Sequence, residues 1–328
     1  MSGASRYTRR RLLLAGLGLA AAGGSAVAVR AFRRDLRAVR AALAGASRMV
    51  ETRAGPIELG EAGEGAPVLV VHGTGGGFDM GLSMARPLLP AGWRVLSPSR
   101  FGYLRTPFPD DASEEAQADA FAALLDALGI ERVPVIGGSA GAISALWFAL
   151  RHPQRCSALV ALVPATHVPD RPETPAAAPW AVPITERLLR SDALFWAASR
   201  LAPNALTRAL LGTDPSLVAA ASSAEQSRVR SVLRDLQPLS ARANGLLNDS
   251  RQSRHPRPMP LAQLRLPLLA IACEDDGFGT HAAARHLVES VEGAELLSFP
   301  SGGHLWVGHD KAVFQRIERF LRAARAVG

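Results

Sequence analysis

The feature that most constrains the fold of this chain is the stretch at residues 133–143, which reads Val-Pro-Val-Ile-Gly-Gly-Ser-Ala-Gly-Ala-Ile. A short apolar, β-branched run ends in a turn of small residues around Ser139, and sequence of helical character follows directly. The order strand, sharp turn, helix is that of a nucleophile elbow, in which a strained turn lifts the serine Oγ above the edge of a sheet. Because Gly-x-Ser-x-Gly also occurs often by chance, its meaning depends on the rest of the chain.

The positive charge of the chain is concentrated at its N-terminus. The net charge is +8, and residues 1–40 contain nine arginines and one acidic residue, so the remainder of the chain is neutral. The 48% of hydrophobic and 20% of charged residues describe a globular protein with a sizeable core. A nucleic-acid-binding body would need a basic face, so we expect no nucleic-acid partner.

No cofactor, metal or disulfide is indicated by the sequence. The glycines at 75–77 are not followed by Lys-Ser or Lys-Thr, which excludes a phosphate-binding P-loop. Cys156 and Cys273 are expected at the opposite ends of two parallel strands, too far apart for a disulfide, and we interpret both as core thiols. Three histidines on predicted helices lack the spacing of metal ligands; they are His281, His286 and His309.

Residues 1–40 are predicted to form an export signal or a membrane anchor. Arg9-Arg10-Arg11 precedes eighteen uncharged residues, 12–29, and Ala26-Val27-Ala28 fits a cleavage site. The local pattern resembles a twin-arginine signal. Eighteen residues also reach the length that spans a bilayer, so retention as an anchor is the alternative. The basic residues that follow, up to Arg40, suit either an interfacial helix or an ordinary solvated one. We expect a location in the cell envelope, with membrane contact through this segment.

From residue 49 onward, short apolar strands alternate with helices. Strands are predicted at residues 49–52, 57–59, 68–71, 94–97, 133–136, 159–163, 268–272 and 295–299. Helices are predicted near residues 81–89, 113–128, 142–151, 280–291 and 310–326. This alternation predicts an α/β fold with a mostly parallel, eight-stranded sheet covered by helices on both faces, formed by residues 41–164 and 265–328.

Residues 165–264 interrupt the alternation, since no convincing strand lies between them. A proline-rich passage at 164–183 is followed by helical segments around 184–190, 193–201, 206–211 and 225–236. We interpret this region as a helical cap inserted between two core strands. Its twelve arginines and eight acidic residues are expected to coat a solvated surface, the alternative being attraction of an anionic substrate.

A serine nucleophile needs a base, and the base needs an acid to orient it. The strand at 268–272 runs into Cys-Glu-Asp-Asp, which offers Asp275 and Asp276. The strand at 295–299 runs into Pro-Ser-Gly-Gly-His, which offers His304. Both candidates follow strands at the carboxyl edge of the sheet, where Ser139 also lies and where open α/β sheets bind ligands.

With these motifs the chain, from about residue 49 to its C-terminus, resembles the α/β-hydrolase fold family. The resemblance implies that Ser139 is the nucleophile and that His304, in its Gly-Gly-His motif, is the base. The family's usual Gly-x-x-Asp pattern, with Cys273 in the glycine position, selects Asp276 as the acid. Asp275 remains the alternative.

Two backbone amides are expected to stabilise the oxyanion of a tetrahedral intermediate. One belongs to Ala140, the residue after the nucleophile. The His72-Gly73 pair matches the family's His-Gly, which places the second donor at Thr74 or Gly75. We expect His72 itself to make a structural hydrogen bond.

The leading hypothesis is a serine hydrolase, a carboxylesterase that acts through an acyl-enzyme on a small to medium ester. Alternatives within the fold are hydrolysis of an amide, a lactone or a carbon–carbon bond. A non-catalytic ligand-binding or scaffold protein is a further alternative of another class. The partner is thus expected to be a small ester-like molecule, and the sequence does not indicate an oligomeric state.

Overall fold

The computed structural model describes residues 26–169, 187, 189–253 and 256–327. The arginine motif and most of the apolar segment of the predicted signal lie outside these residues. The chain divides into two units, residues 1–42 and residues 43–328. The described residues of the first unit, 26–42, are helical, and this helix (α1) ends at residue 43. Among the helices that the structure describes, none combines the length and apolar character needed to cross a bilayer.

The second unit is built on one eight-stranded sheet, as predicted. Its strands in sequence are β1 (Arg48–Val50), β2 (Ile57–Ala62), β3 (Ala66–Val71), β4 (Trp93–Pro98), β5 (Val133–Gly138), β6 (Cys156–Leu162), β7 (Leu268–Cys273) and β8 (Glu295–Phe299). Their order in the sheet is β1-β2-β4-β3-β5-β6-β7-β8. The pairs β1/β2 and β2/β4 are antiparallel, and the others are parallel.

Helices cover both faces of this sheet, and further helices occur in the described part of the interval between β6 and β7. In chain order they are α2 (Phe78–Ala85), α3 (Glu114–Ala127), α4 (Gly141–Arg151), α5 (Asp192–Leu201), α6 (Pro203–Leu211), α7 (Pro215–Ala220), α8 (Ser223–Asp235), α9 (Ala243–Gln252), α10 (Thr280–Ser290) and α11 (Asp310–Val327). Alternate side chains of the central strands point to the two faces, so Leu69 packs with α3, α4 and α10, while Val70 packs with α11. Burial on both faces explains the continuous apolar runs of these strands.

One helix differs from its prediction for a clear reason. We expected residues 81–89 to be helical, whereas α2 ends at Ala85 and a 3₁₀ turn continues over Arg86–Ala91. Pro87 and Pro90 lie in that turn. Because proline has no amide hydrogen to donate to a preceding carbonyl, it cannot extend the regular hydrogen-bond ladder of α2.

The described part of residues 165–264 contains helices α5 to α9 and no strand. Helices α7 and α9 were not predicted, and most of the proline-rich passage and most of the predicted helix at 184–190 lie outside the described residues. These helices have a small apolar core of their own, to which Val307 of the C-terminal part contributes. Its other buried members are Phe195, Leu211, Val229, Leu233, Leu236 and Leu239.

The two cysteines have the places that the sequence predicts. Cys156 opens β6 and Cys273 closes β7, and both are buried free thiols. Burial raises the pKa of each thiol to about 12. Neither cysteine is therefore a thiolate at neutral pH.

Candidate active site

Ser139 occupies the turn between β5 and α4 in the left-handed region, with φ of 51°. A residue with a side chain rarely adopts this conformation, and it persists only where its surroundings hold it. The Ser139 amide donates to the Leu162 carbonyl at 2.8 Å, and the Ser139 carbonyl accepts from the amides of Ala142 and Ala165 at 3.0 and 3.2 Å. The neighbouring strand and the first turn of α4 thus fix the strained serine.

The glycines around Ser139 are required by close packing. A Cβ atom on Gly137 would lie 2.7 Å from the Cα of Ala142, and one on Gly141 would lie 2.5 Å from the carbonyl oxygen of Val71. Because these neighbours are backbone atoms, they cannot move aside. The small residues therefore allow strand and helix to approach closely, as the sequence predicts.

His304 and Asp276 lie together after β8 and β7. The Nδ1 atom of His304 is 2.8 Å from Oδ2 of Asp276, and both side chains are buried. Asp276 also accepts hydrogen bonds from the Thr280 hydroxyl and, at 2.8 Å, from the Phe278 amide. Burial acts to raise the pKa of Asp276, but these hydrogen bonds, that of His304 first, outweigh burial and lower the pKa below its usual value.

Asp275 contacts the backbone of the histidine loop. Its carboxylate accepts from the amides of Gly303 at 2.8 Å and Gly302 at 3.2 Å. The two adjacent acids therefore have different partners. Asp276 meets the imidazole ring, and Asp275 holds the loop that carries His304.

The loop that follows β3 lies directly against the nucleophile, since a Cβ atom on Gly73 would be 3.1 Å from Cβ of Ser139. Within this loop the Gly75 amide donates to the Tyr103 hydroxyl at 3.1 Å. Among the residues that the structure describes, the amides of Thr74 and Ala140 have no protein acceptor. Of the two predicted alternatives for the second donor, Thr74 is thus the one whose amide is not already engaged.

His72 makes the structural hydrogen bonds that we expected. Its Nδ1 lies 2.8 Å from the carbonyl oxygen of Gly73, and its Nε2 accepts from the Arg100 amide at 3.0 Å. Burial, aided by the charge of Arg100, lowers the pKa of His72 well below its usual value. A neutral imidazole has one donor and one acceptor, which matches these two partners.

Gly212, at the C-terminal end of α6, contacts both loops of the predicted acid and base. Its carbonyl accepts from the Gly277 amide at 2.8 Å and from the His304 amide at 3.3 Å. Its φ of 49° lies in the left-handed region that favours glycine. The sequence does not single out Gly212, because a glycine after a helix indicates only where the helix ends.

Two ion pairs join α9 and the residue before it to the core, and the carboxylate of one of them, Asp79, is only partly buried. Arg242 is 0% exposed, and its Nη2 lies 2.7 Å from Oδ2 of Asp79. Nη1 of Arg100 lies 2.9 Å from Oδ1 of Asp249, in α9. The expectation that the arginines of residues 165–264 coat a solvated surface is wrong for Arg242, because a carboxylate of α2 compensates its charge in the interior.

The described ranges contain no group of three or more His, Cys, Asp or Glu side chains that could hold a metal ion.

Comparison with known proteins agrees with the fold of the second unit. Residues 66–307 match the sequence profile of the family described as alpha/beta hydrolase fold. An alpha/beta hydrolase fold protein from Nakamurella multipartita superimposes with a TM-score of 0.67 at 28% identity, covering 84% of this chain and 99% of that one. An esterase from Exiguobacterium antarcticum shares the fold at 17% identity, with a TM-score of 0.61 and coverage of 84% and 97%.

Two curated relatives differ in how far they match. The uncharacterized hydrolase YcgS of Bacillus subtilis (strain 168) is 28% identical over 81% of this chain and 95% of its own length. The 2-hydroxy-6-oxononadienedioate/2-hydroxy-6-oxononatrienedioate hydrolase 2 of Pseudomonas putida is 39% identical over 36% of this chain. In that second match the chain spans only 44% of the relative's length.

Proposed function

This chain belongs to the α/β-hydrolase fold family, and on that premise we propose that it is a serine hydrolase acting on a carboxylic ester of small to medium size. The observation that carries the proposal is the 2.8 Å contact between His304 and Asp276. These residues follow β8 and β7 at the carboxyl edge where the elbow presents Ser139. A nucleophile, a base and an orienting acid are the three groups that acyl transfer requires.

In the first half of the reaction, the Ser139 Oγ forms a bond to the ester carbonyl carbon while His304 takes the hydroxyl proton. The carbonyl electron pair moves onto its oxygen, which the amides of Ala140 and Thr74 stabilise. When that pair returns, the carbon–oxygen bond to the alcohol breaks and His304 gives the leaving oxygen its proton. An acyl-serine and a free alcohol result.

In the second half, water replaces serine as the attacking group. His304 takes a proton from the water, whose oxygen bonds to the acyl carbon, and then returns that proton to Ser139 as the acid leaves. Asp276 stays ionised throughout because its hydrogen bonds lower its pKa. Its negative charge stabilises the imidazolium that forms in each half.

The charges around the loop after β3, which carries the Thr74 amide, favour an ester without a carboxylate near the reacting carbonyl. Within the described part of the chain, Arg100 and Arg242 are the buried cations beside this loop, and they already pair with Asp249 and Asp79. Neither guanidinium is therefore available to neutralise a substrate carboxylate. Cleavage of a carbon–carbon bond in an oxo-dienoate is the second candidate, which the partial match to the Pseudomonas putida hydrolase favours.

Labelling with a fluorophosphonate probe tests the hydrolase proposal. We expect the wild-type protein to be labelled and Ser139→Ala to remain unlabelled while it unfolds at the same temperature. A folded wild type that resists labelling, or equal labelling of the variant, would contradict the proposal and favour a non-catalytic ligand-binding protein.

A substrate panel then separates the two candidates. It contains p-nitrophenyl esters of increasing acyl length, a lactone, an anilide and a 2-hydroxy-6-oxo-dienoate. We expect the highest kcat/KM with a short or medium uncharged ester. A higher value with the dienoate would select carbon–carbon bond hydrolysis.

We further propose that the protein resides in the cell envelope, exported or anchored through its N-terminal segment. The arginine motif with its apolar run supports this location, as does the helix at 26–43 with arginines at 30, 33, 34, 37 and 40. Fractionation of cells that express the native chain is the test. Recovery of the full-length chain in the cytosol would contradict the proposal.

A further inference from the structure

The turn that follows β4 makes hydrogen bonds to the loop that carries the Thr74 amide. Arg100 donates from its backbone amide to Nε2 of His72 at 3.0 Å and from its Nε to the His72 carbonyl at 3.1 Å. The Tyr103 hydroxyl accepts from the Gly75 amide at 3.1 Å. Arg100 and Tyr103 therefore bind the loop on the two sides of Thr74.

The direction of the Thr74 amide follows from its own peptide group. The carbonyl of that group, on Gly73, accepts from the Gly76 amide at 3.1 Å and contacts Nδ1 of His72 at 2.8 Å. In a trans peptide the N–H points away from the C=O. Because the Gly73 carbonyl faces the Gly76 amide and the His72 ring, the Thr74 amide points away from these two groups.

Arg100 and Tyr103 share one partner, and it belongs to α9. Asp249 accepts from Nη1 of Arg100 at 2.9 Å and from the Tyr103 hydroxyl at 2.6 Å. It is 2% exposed, and Tyr103 is 0% exposed. In the same helix the Gly245 amide donates to the Gly102 carbonyl at 3.1 Å. A Cβ atom on Gly245 would overlap the ring of Tyr103.

Asp249 also fixes the orientation of the Tyr103 hydroxyl. A phenol can donate one hydrogen bond, and the Asp249 carboxylate accepts it, so a lone pair of the phenol oxygen faces the Gly75 amide. Burial and the Asp249 charge raise the pKa of Tyr103 well above its usual value, so the phenol keeps its proton. Without Asp249 the hydroxyl is free to rotate and the Gly75 amide loses a fixed acceptor.

We infer that Asp249 and Tyr103 are positioning residues for the proposed hydrolase, and that they hold the Thr74 amide in place as the second oxyanion donor. Helix α9 thereby contributes to the reaction through the loop after β3, without touching substrate. Because the oxyanion site belongs to the proposed function, the test must separate failure of the loop geometry from absence of hydrolase activity.

Steady-state kinetics with an activated ester, and the rate of fluorophosphonate labelling, measure this contribution. Loss of one oxyanion donor costs about 100-fold to 1,000-fold in kcat, and Tyr103→Phe displaces a donor without removing it. We expect kcat to fall about 10-fold to 100-fold, with KM within about twofold, because the oxyanion forms only after the substrate binds.

A double-mutant cycle with Asp249→Asn tests whether the two residues act together. Since both act on the same peptide, we expect the double variant to lose no more kcat than the more impaired single variant. Independent, multiplying losses would overturn the inference. As a control, Phe121→Leu alters a buried ring that faces α4, and it should lower stability with kcat unchanged.

Labelling of Tyr103→Phe at the wild-type rate would overturn the inference and leave the proposed function standing. A wild type that is not labelled would overturn the proposed function instead. Hydrogen exchange resolved to the Gly75 amide of the wild-type protein needs neither activity nor a stable variant. We expect a protected Gly75 amide, and exchange as fast as in an open loop would overturn the inference.

Discussion

Replacing Gly212 by alanine tests whether the end of α6 positions the predicted base. An added Cβ atom would lie 2.7 Å from Cδ2 of Phe278 and 3.1 Å from Cβ of His304. The Phe278 ring lies edge-on to the His304 ring, with 4.9 Å between the ring centroids, so displacing it also disturbs the imidazole. His304 is further fixed because its ring contacts Asp276 and its amide donates to Gly212 itself.

The expected magnitudes follow from these contacts. An alanine in the left-handed region costs about 1–2 kcal/mol in the free energy of unfolding. The contact with His304 requires a shift of the imidazole by about a few tenths of an ångström. Since a misplacement of about 1 Å costs about 100-fold in rate, we expect kcat to fall about tenfold. Urea unfolding gives the first quantity and steady-state ester hydrolysis the second.

Gly129→Ala is the matched control for backbone strain. Gly129 has φ of 66°, yet an added Cβ atom there would have no neighbour within 4 Å. This variant should lose a similar free energy of unfolding and keep the wild-type kcat. Equal kcat values for Gly212→Ala and Gly129→Ala would refute the view that Gly212 positions His304.

Further predictions concern three acidic residues. Asp276→Asn should lower kcat by about 1,000-fold or more, because the imidazole loses its orienting carboxylate. Asp275→Asn should lower kcat far less. Kinetics that rank the two variants in reverse would select Asp275 as the acid. Burial raises the pKa of Glu114 to about 7, above its unfolded value, so the folded state is progressively disfavoured as pH rises from about 4.5 to about 7. Glu114→Gln should therefore gain stability relative to wild type between pH 5 and pH 8, by up to about 3 kcal/mol, and an unchanged difference in urea unfolding at these two pH values would refute this.

The predicted catalytic residues could be placed from sequence because each is set by local signals. Ser139, Asp276 and His304 each follow an apolar strand within a few residues. In a parallel sheet the carboxyl ends of strands share one edge, so the strand pattern alone brings these loops near each other. The contact that distinguishes Asp276 from Asp275 is visible only in the structure.

The contacts of α9 and of the preceding Arg242 could not be predicted, because their partners are distant in sequence. Arg242 and Asp79 are 163 residues apart, and Arg100 and Asp249 are 149 apart. Each charged residue taken alone has the pattern of a solvated surface, and only the tertiary fold makes the pairs. The same holds for Gly212, whose two hydrogen bonds reach residues 65 and 92 positions later.

The carbonyl of Gly212 has a consequence for engineering in this protein. Exchanging residues 165–264 for the corresponding region of another hydrolase is a natural route to a new specificity. Here such a graft would also remove the acceptor shared by the Gly277 and His304 amides. A chimera would have to retain a left-handed glycine at the end of α6, or it would change the reaction rate together with the substrate range.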